Sequence, residues 1–196
     1  MTPIRTVCVY ASSSERTPPA YHEAASGLGR HLAAEGFAIV YGGGSTGSMG
    51  RMAEAALAAG AKVTGVMPRF MDELEWSHRS LTELHLVDDM HQRKRMMLEL
   101  ADAVVALPGG CGTFEELFEA ISWKKLGLFL GPIALVNVNG YYASCLDLLQ
   151  RSIGEGFMDA RHAAMWSVVS QPEEVASALR SAPPWPGNAR SFALSR

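Results

Sequence analysis

The residues best placed to do chemistry lie in the segment 103–116, which reads AVVALPGGCGTFEE. A short apolar run ends at a proline and two glycines, and Thr113 then begins a helical pattern that carries two adjacent acids, Glu115 and Glu116. A strand, a glycine loop and a helix start in this order form a geometry in which backbone N–H groups and the helix dipole bind an anion. Because carboxylates at the same helix mouth would repel a bare anion, their position predicts a reaction beside a bound phosphate.

The loop of this segment, Pro108–Thr113, is predicted to supply the anion contacts. Its three glycines lack Cβ atoms and let the backbone turn its N–H groups toward a ligand, and Thr113 adds a hydroxyl at the expected helix N-cap. Glu115 and Glu116 point about 100° apart on a helix, so we expect one to face the reacting centre and the other to contact a ligand hydroxyl or to act from behind it. The alternative is that both acids only stabilise the helix dipole, by roughly 0.3–1 kcal/mol each.

A first glycine loop, Gly42–Gly47, also follows an apolar run and precedes a helical pattern. It matches G-x-G-x-x-G, but the dinucleotide fingerprint also needs an acid near the end of the next strand, where this chain has Gly65–Pro68. A P-loop is excluded because Ser48 stands where that motif requires lysine. The loop is therefore either a ligand-contacting turn or a tight strand-to-helix connection. The ligand contacts expected from it are Gly43, Gly44 and Ser45.

A basic cluster, Arg93–Arg95, lies near the start of the helical pattern that leads into the strand before the second glycine loop. A solvated basic face is one interpretation. The other interpretation is that an anion or an acid lies next to the cluster, because three cations near a helix start oppose the helix dipole. Two glycine loops at strand ends together with these cations predict a shared ligand crevice.

Short apolar runs alternate with helical patterns along the chain, which predicts an α/β fold, a Rossmann-like three-layer αβα sandwich with a mainly parallel sheet. The irregular segment Phe70–Leu86 is interpreted as a lid or a partner contact. The strands are expected at Ile4–Tyr10, Ala38–Tyr41, Lys62–Val66, Ala103–Leu107, Ile133–Asn137 and Trp166–Val169, with a further short strand at Leu84–Val87. The helices are expected at Ala20–Glu35, Met49–Ala59, Met90–Leu100, Phe114–Leu126, Tyr142–Glu155 and Pro172–Ser181.

The composition is that of an ordinary globular protein, with 196 residues, 19% charged residues and a net charge of −3. We expect one domain over 1–181 and, from its prolines and glycine, a flexible tail over 182–196. The acidic balance argues against nucleic-acid binding. Three widely spaced cysteines predict neither a disulfide framework nor a zinc site, and no apolar run reaches membrane-spanning length. A reduced, cytoplasmic enzyme or binding protein is expected.

Three segments carry a resemblance to a known family: VYGGGSTGSMG at 40–50, MHQRKRMM at 90–97 and ALPGGCGTFEELFEAISWKKLG at 106–127. Together they resemble the LOG family of cytokinin riboside 5′-monophosphate phosphoribohydrolases, whose older label is possible lysine decarboxylase. The similarity spans roughly 7–179. It implies a Rossmann-type sheet, a homodimer, and hydrolysis of the N-glycosidic bond of a nucleoside 5′-monophosphate, AMP-type substrates included, to free base and ribose 5-phosphate.

The resemblance also implies roles for individual residues. The family's R-K pair falls on Arg93 and Lys94, and its P-G-G-x-G-T-x-x-E motif begins at Pro108 and ends at Glu116. The chain departs from the family pattern at two places. It has Ala11-Ser12 where many relatives have Gly-Ser, and Phe70 stands near where some relatives place a ligand-binding glutamate. Both departures bear on base specificity rather than on the reaction. The residues that would line the nucleotide site are Gly109, Gly110, Gly112, Thr113, Glu115 and Ser122.

The expected chemistry follows from the bond that breaks. Cleavage builds oxocarbenium character on the ribose, which a carboxylate stabilises while it orients or deprotonates water. We assign that role to Glu116, with Arg93 as the partner that binds phosphate or ribose and keeps Glu116 ionised. No metal or organic cofactor is required. The alternatives are a non-catalytic nucleotide or cofactor carrier and a lysine decarboxylase, which would need a lysine in a PLP setting that none of the four lysines has.

Overall fold

The strand-forming segments assemble into one parallel sheet in the computed structural model, which describes residues 3–74 and 76–193. The strands are β1 (Thr6–Tyr10), β2 (Ala38–Tyr41), β3 (Val63–Pro68), β4 (Glu83–Val87), β5 (Ala103–Ala106), β6 (Ile133–Val136) and β7 (Trp166–Val169). Over the described residues the order is β4-β3-β2-β1-β5-β6-β7, and every neighbouring pair of strands runs parallel. The predicted parallel sheet is confirmed.

Helices cover both faces of this sheet, which confirms the three-layer arrangement. They are α1 (Pro19–Ala34), α2 (Gly47–Ala58), α3 (Arg69–Glu73), α4 (Met90–Glu99), α5 (Cys111–Lys125), α6 (Ala143–Gly154) and α7 (Val175–Ser181). Buried residues of α1, α2 and α7 form one apolar cluster, and those of α4, α5 and α6 form the other. None of the helices described is long and apolar enough to cross a membrane.

The central strand explains why the strands read as unbroken apolar runs. Val7 and Val9 of β1 enter the cluster on one face, whereas Cys8 and Tyr10 enter the cluster on the other. Successive side chains of a strand point to opposite faces, so a sheet covered on both sides needs apolar residues at every position.

A crevice opens where the direction of strand addition reverses. The chain adds β2, β3 and β4 on one side of β1 and adds β5, β6 and β7 on the other. The helices that follow β1 and β5, α1 and α5, therefore lie on opposite faces. Ligands of open parallel sheets bind at the carboxyl edge of the strands at such a reversal.

The C-terminal segment differs from the loose extension expected from its prolines. Within 182–193, Trp185 and Phe192 are buried in the same cluster as α5, and the Trp185 indole N–H donates to the Lys124 carbonyl at 2.7 Å. Burial of two aromatic side chains holds this segment on the α/β body, because each removes a large apolar area from water. Residues 194–196 of the expected tail lie outside the described residues.

Candidate active site

A cavity of about 640 Å³ lies at the carboxyl edge of the sheet. The loops after β1 and β2, the end of β3, the start of α4 and the first two turns of α5 all contribute to its wall. The cavity thus occupies the crevice that the strand order creates, and most of the predicted site residues meet there.

The most buried charges in the cavity wall are Arg93 of α4 and Glu116 of α5, which are 7% and 9% exposed. The Arg93 Nε donates to the Val66 carbonyl at 3.0 Å and Nη2 donates to the Gly42 carbonyl at 2.7 Å. The Nη1 atom lies 3.8 Å from Oε1 of Glu116. Two strand-end carbonyls therefore fix the guanidinium so that its remaining edge faces the carboxylate.

The first glycine of the loop after β2 makes room for this guanidinium. A Cβ atom on residue 42 would overlap Nη2 of Arg93, and the Arg93 side chain crosses the space that a side chain there would fill. Gly42 is therefore required for Arg93 to reach its place. The two residues are 51 positions apart, and local sequence pattern carries no sign of their contact.

Burial raises the pKa of Glu116 to about 7, and the nearby Arg93 charge acts in the opposite direction. A carboxyl group with this pKa exchanges its proton readily near neutral pH, which suits a general acid or base. The pair therefore places a proton acceptor with a shifted pKa next to a fixed cation, and both side chains are buried in the cavity wall.

Lys94 lies behind the cavity wall and does not line the space itself. Its Nζ atom is 2.7 Å from Oε1 of Glu115 and 3.2 Å from Oε2 of Glu119, while the lysine side chain is almost fully buried. Burial alone would lower the pKa of Lys94, but the hydrogen bonds with the two carboxylates outweigh it and raise that pKa. The hydrogen bond between Lys94 and Glu115 also lowers the pKa of Glu115, whose side chain reaches solvent at the cavity.

The N-terminus of α5 faces the cavity without a side-chain cap. The helix begins at Cys111 with Gly110 as its N-cap, and among the described residues no side chain caps it. The predicted N-cap at Thr113 is therefore wrong: Thr113 is the third helical residue, and Glu116 lies in the second turn rather than at the mouth. Because the first N–H groups of a helix have no partner within it, α5 presents free donors and its positive end to the cavity.

The second glycine loop is held from behind by two tyrosines. The Tyr142 hydroxyl donates to the Leu107 carbonyl at 2.7 Å, and the Tyr141 hydroxyl donates to the Gly109 carbonyl. Gly109 itself packs against Thr113, where a Cβ atom would collide with the threonine side chain. Gly109 thus shapes the loop, and the residues beyond it line the cavity.

The first glycine loop contacts other segments of the chain on both of its sides. The Gly47 N–H at the start of α2 donates to the Glu15 carboxylate at 2.7 Å, so an acid of the chain itself occupies that helix end. Ser45 N–H donates to the Trp76 carbonyl at 3.1 Å, and Gly44 forms an isolated antiparallel bridge with Ser77. The loop anchors the 76–78 segment at the cavity rim.

Most of the predicted site residues line the cavity. Those brought together are Arg93, Glu116, Gly110, Gly112, Thr113, Glu115, Gly44 and Ser45. Those placed outside the lining are Lys94, Gly109, Gly43 and Ser122. Gly43 packs against Met67 and Leu84, and Ser122 is exposed further along α5.

Sequence reasoning missed the large apolar side chains of the cavity wall. They are those of Met49, Met67, Met71, Met90 and Trp76, and the Met90 Sδ atom lies 3.9 Å from Nη1 of Arg93. Ser13 and Ser14 of the loop after β1 were also missed, whereas Ala11 and Ser12, which were expected to bear on base specificity, line the cavity. The available signal was that these residues stand close in sequence to the predicted site segments. Methionines, however, are ordinarily interpreted as core residues. Phe70, expected near a ligand position, is half exposed and lies outside this lining.

Comparison with known proteins gives relatives over most of the chain. Residues 49–179 match the family described as "Possible lysine decarboxylase". The chain is 41% identical over 178 residues to the cytokinin riboside 5′-monophosphate phosphoribohydrolase of Rhodococcoides fascians, covering 90% of both proteins. It is 44% identical over 152 residues to the protein of that activity named LOG7 in Arabidopsis thaliana, covering 78% of this chain and 70% of the plant protein. The probable phosphoribohydrolase LOG4 of Oryza sativa subsp. japonica is 40% identical over 180 residues, with 92% and 78% covered.

Solved structures share the fold at lower sequence identity. The molybdenum cofactor carrier protein of Chlamydomonas reinhardtii superposes with a TM-score of 0.71 and 19% identity, covering 92% of this chain and 98% of that one. The molybdenum cofactor binding protein of Rippkaea orientalis gives a TM-score of 0.68 and 20% identity, with the same coverage. These similarities show the Rossmann-like α/β fold.

Proposed function

Since this chain belongs to the LOG family of cytokinin riboside 5′-monophosphate phosphoribohydrolases, also described as possible lysine decarboxylases, we propose that it hydrolyses the N-glycosidic bond of purine nucleoside 5′-monophosphates. The products are the free base and ribose 5-phosphate. The observation that carries the proposal is the buried Arg93–Glu116 pair, which shares one cavity with the uncapped N-terminus of α5.

The cavity offers one place for each part of such a substrate. The phosphate binds at Gly110–Thr113, where free N–H groups and the helix dipole favour an anion. The ribose then lies beside Glu116 in the second turn of the same helix. Glu115, held by Lys94 and partly exposed, contacts a ribose hydroxyl. The base extends toward the methionine side chains of the cavity lining.

The proposed reaction assigns the proton and the electron pair to stated groups. Ionised Glu116 stabilises the positive charge that develops on the ribose and accepts a proton from the attacking water. The water oxygen bonds to the anomeric carbon, and the electrons of the broken C–N bond leave with the base. The base takes up a proton from solvent, and Glu116 releases the water proton to solvent. This step consumes water alone.

Arg93 acts on the reaction through Glu116. Two of its donor positions are used by strand-end carbonyls, and the guanidinium charge lowers the pKa of Glu116 against the effect of burial. Without that charge the carboxyl group would be protonated at neutral pH and unable to act as a base. We therefore assign Arg93 the electrostatic role and Glu116 the contact with the reacting atoms.

The residues of the cavity fit hydrolysis better than they fit decarboxylation or the carriage of a ligand without reaction. Over residues 3–74 and 76–193 no lysine lines the cavity, and Lys124 donates to the Gly131 carbonyl beneath α5. A PLP-dependent reaction would need a lysine at the cofactor. A carrier would not need a buried base with a pKa near neutrality beside its ligand. Carriage remains an outcome of the test below.

Family membership also supports a homodimer as the assembled form. Light scattering on the purified protein checks this, with twice the mass of one chain expected and the mass of one chain contradicting it.

Incubation with AMP and with adenosine tests the proposed activity. Free adenine, measured by chromatography, is expected from AMP and at least about 100-fold less efficiently from adenosine, because adenosine lacks the phosphate that α5 would bind. Binding of AMP without adenine release would favour a carrier. Equal release from both compounds would contradict the assigned phosphate site.

A further inference from the structure

The segment 115–119 of α5 carries three carboxylates close to one another. Glu115 and Glu116 are neighbours in sequence, and Glu119 lies three positions after Glu116. Residues three apart on a helix are neighbours on its surface, so the carboxylate of Glu119 lies about one turn from that of Glu116. Negative charges at such distances disfavour the ionised form of one another. The proposed reaction requires Glu116 to be ionised, and the two flanking acids oppose its ionisation.

Lys94 of α4 is placed to neutralise the two flanking acids. Its Nζ atom donates to Oε1 of Glu115 at 2.7 Å and lies 3.2 Å from Oε2 of Glu119. The lysine side chain is 6% exposed, whereas the side chains of the two acids are 58% and 27% exposed. Water and salt screen a buried ammonium only weakly, so its charge acts on both carboxylates at once. Lys94 thus pairs with the acids on either side of Glu116 without lining the cavity.

The charges around Glu116 act on its pKa in both directions, in addition to the burial that raises it. The two cations of α4, Arg93 and Lys94, lower the pKa of Glu116. The two flanking acids of α5, Glu115 and Glu119, raise it. Loss of either cation therefore leaves an excess of negative charge beside Glu116, which favours its protonated form.

The thiol of Cys8 and the hydroxyl of Tyr10 also face Glu116, from the side of β1 that packs against α5. Burial raises the pKa of both groups well above the physiological range, and the Glu116 charge adds to this effect. Both groups are therefore neutral in the range where Glu116 titrates. They neither add to the repulsion from the flanking acids nor replace the charge of Lys94.

We propose that Lys94 is a positioning residue: by pairing with the two flanking acids it allows Glu116 to ionise beside the substrate. This inference rests on the proposed function, because it takes ionised Glu116 to be the base. Arg93 faces Glu116 directly, at 3.8 Å. Lys94 adds to its effect by compensating the negative charges that lie on the same helix as Glu116.

The pH profile of kcat/KM for AMP tests this role. Lys94→Met removes the ammonium group and keeps an unbranched side chain of similar length. The midpoint of the acidic limb is expected to rise by about one pH unit, so that activity falls about tenfold at pH 6 and little at pH 9. Division by the native profile cancels the ionisation of the substrate phosphate. Lys94→Arg keeps the charge and is expected to keep the native midpoint.

Removal of a flanking acid distinguishes this role from a purely structural one. Glu119→Gln, added to Lys94→Met, removes one uncompensated carboxylate and is expected to return the midpoint at least about halfway to the native value. Lys125→Met is the matched control, because it removes the same charge from the last turn of α5 and is expected to leave the midpoint unchanged. A midpoint that Lys94→Met does not move, or that Glu119→Gln does not restore, would overturn the inference.

Direct titration of Glu116 separates this inference from the proposed activity. Carbon-13 NMR of the side-chain carboxyl groups, with the Glu116 signal assigned from Glu116→Gln, follows its ionisation without substrate. A higher pKa of Glu116 in Lys94→Met supports the role of Lys94 even if the native protein releases no adenine from AMP, a result that refutes the proposed reaction alone. Equal titration in the native and variant proteins contradicts it.

Glu119→Gln by itself keeps the test open if Lys94→Met does not fold, because this variant retains the buried lysine. With one of its two acids removed, Lys94 compensates the remaining charges more fully. The NMR titration of Glu116 is therefore expected to move to lower pH by a few tenths of a unit. A titration that stays in place or moves to higher pH would overturn the inference.

Discussion

Gly42 and Arg93 occupy one shared space at the carboxyl edge of the sheet. The Gly42 carbonyl accepts a hydrogen bond from Nη2 of Arg93 at 2.7 Å, and a Cβ atom on residue 42 would overlap that same nitrogen. The glycine thus both binds the guanidinium and makes room for it. The position of Arg93, and through it the charge that faces Glu116, depends on the absence of a side chain 51 residues earlier.

Gly42→Ala is therefore expected to disable the site from a distance. The added methyl group displaces the guanidinium, and we expect kcat/KM for AMP to fall by about 100-fold or more, as for removal of Arg93 itself. Gly154→Ala is the matched control, since a Cβ atom there meets no neighbour. Normal activity in Gly42→Ala would show that the site tolerates displacement of Arg93.

The pH dependence of kcat/KM reports the ionisation of Glu116. Because the ionised form is the active base and its pKa is about 7, activity is expected to rise about tenfold per unit below neutrality and to level off above it. The substrate phosphate titrates near pH 6, so inhibition by ribose 5-phosphate over the same range serves as the control for binding. A profile that follows the inhibitor alone would contradict a role for Glu116 as base.

The same shift predicts an effect of Glu116 on stability. Burial raises the pKa of Glu116 in the folded protein, so the folded state holds this proton more tightly than the unfolded state does. The contribution of Glu116 to the free energy of unfolding is therefore fully present at low pH, where both states carry the proton. It is lost as pH rises from about 4.5 through about 7. Glu116→Gln is then expected to stabilise the protein by about 3 kcal/mol near pH 8 and by much less near pH 4. Urea unfolding at both pH values measures the difference. A variant that is less stable than the native protein at pH 8 would contradict it.

Tyr142 is expected to act on substrate binding through the second glycine loop. Tyr142→Phe removes the hydrogen bond to the Leu107 carbonyl and leaves that buried oxygen unpaired, at a cost of about 1–3 kcal/mol in stability. We expect KM for the nucleotide to rise severalfold with a smaller change in kcat, because the loop positions the phosphate. Tyr21→Phe, which keeps the ring packed edge-on against Tyr141, is the control. Identical kinetics in both variants would limit Tyr142 to a structural role.

The fold was predictable because its signals are local. A strand such as β7, Trp166–Val169, has the predicted bounds, and the alternation of apolar runs and helical patterns is enough to indicate parallel βαβ units. The start of α5 was misplaced because threonine is a favoured N-cap, whereas the helix begins at Cys111 and includes Gly112 in its first turn. Helix boundaries depend on tertiary contacts that such preferences do not contain.

The parts of the site that sequence reasoning missed depend on contacts between distant residues. The bond from Arg93 to the Gly42 carbonyl and the attachment of Trp76 to Ser45 join segments that are not adjacent in sequence. The burial of Trp185 and Phe192 likewise follows from the apolar cluster that they join and not from the prolines beside them. The glycine loops therefore indicated where the cavity lies, although the partner of each glycine required the three-dimensional structure.

Product analysis with Glu116→Gln tests the central claim most directly. The native protein, incubated with N6-isopentenyladenosine 5′-monophosphate, is expected to yield free base and ribose 5-phosphate in equal amounts. Glu116→Gln is expected to form both at least about 100-fold more slowly. Glu119→Gln, on the same helix and ion-paired with Lys94, is expected to retain most of the activity. Near-normal product formation by Glu116→Gln, or no ribose 5-phosphate from the native protein, would contradict the account.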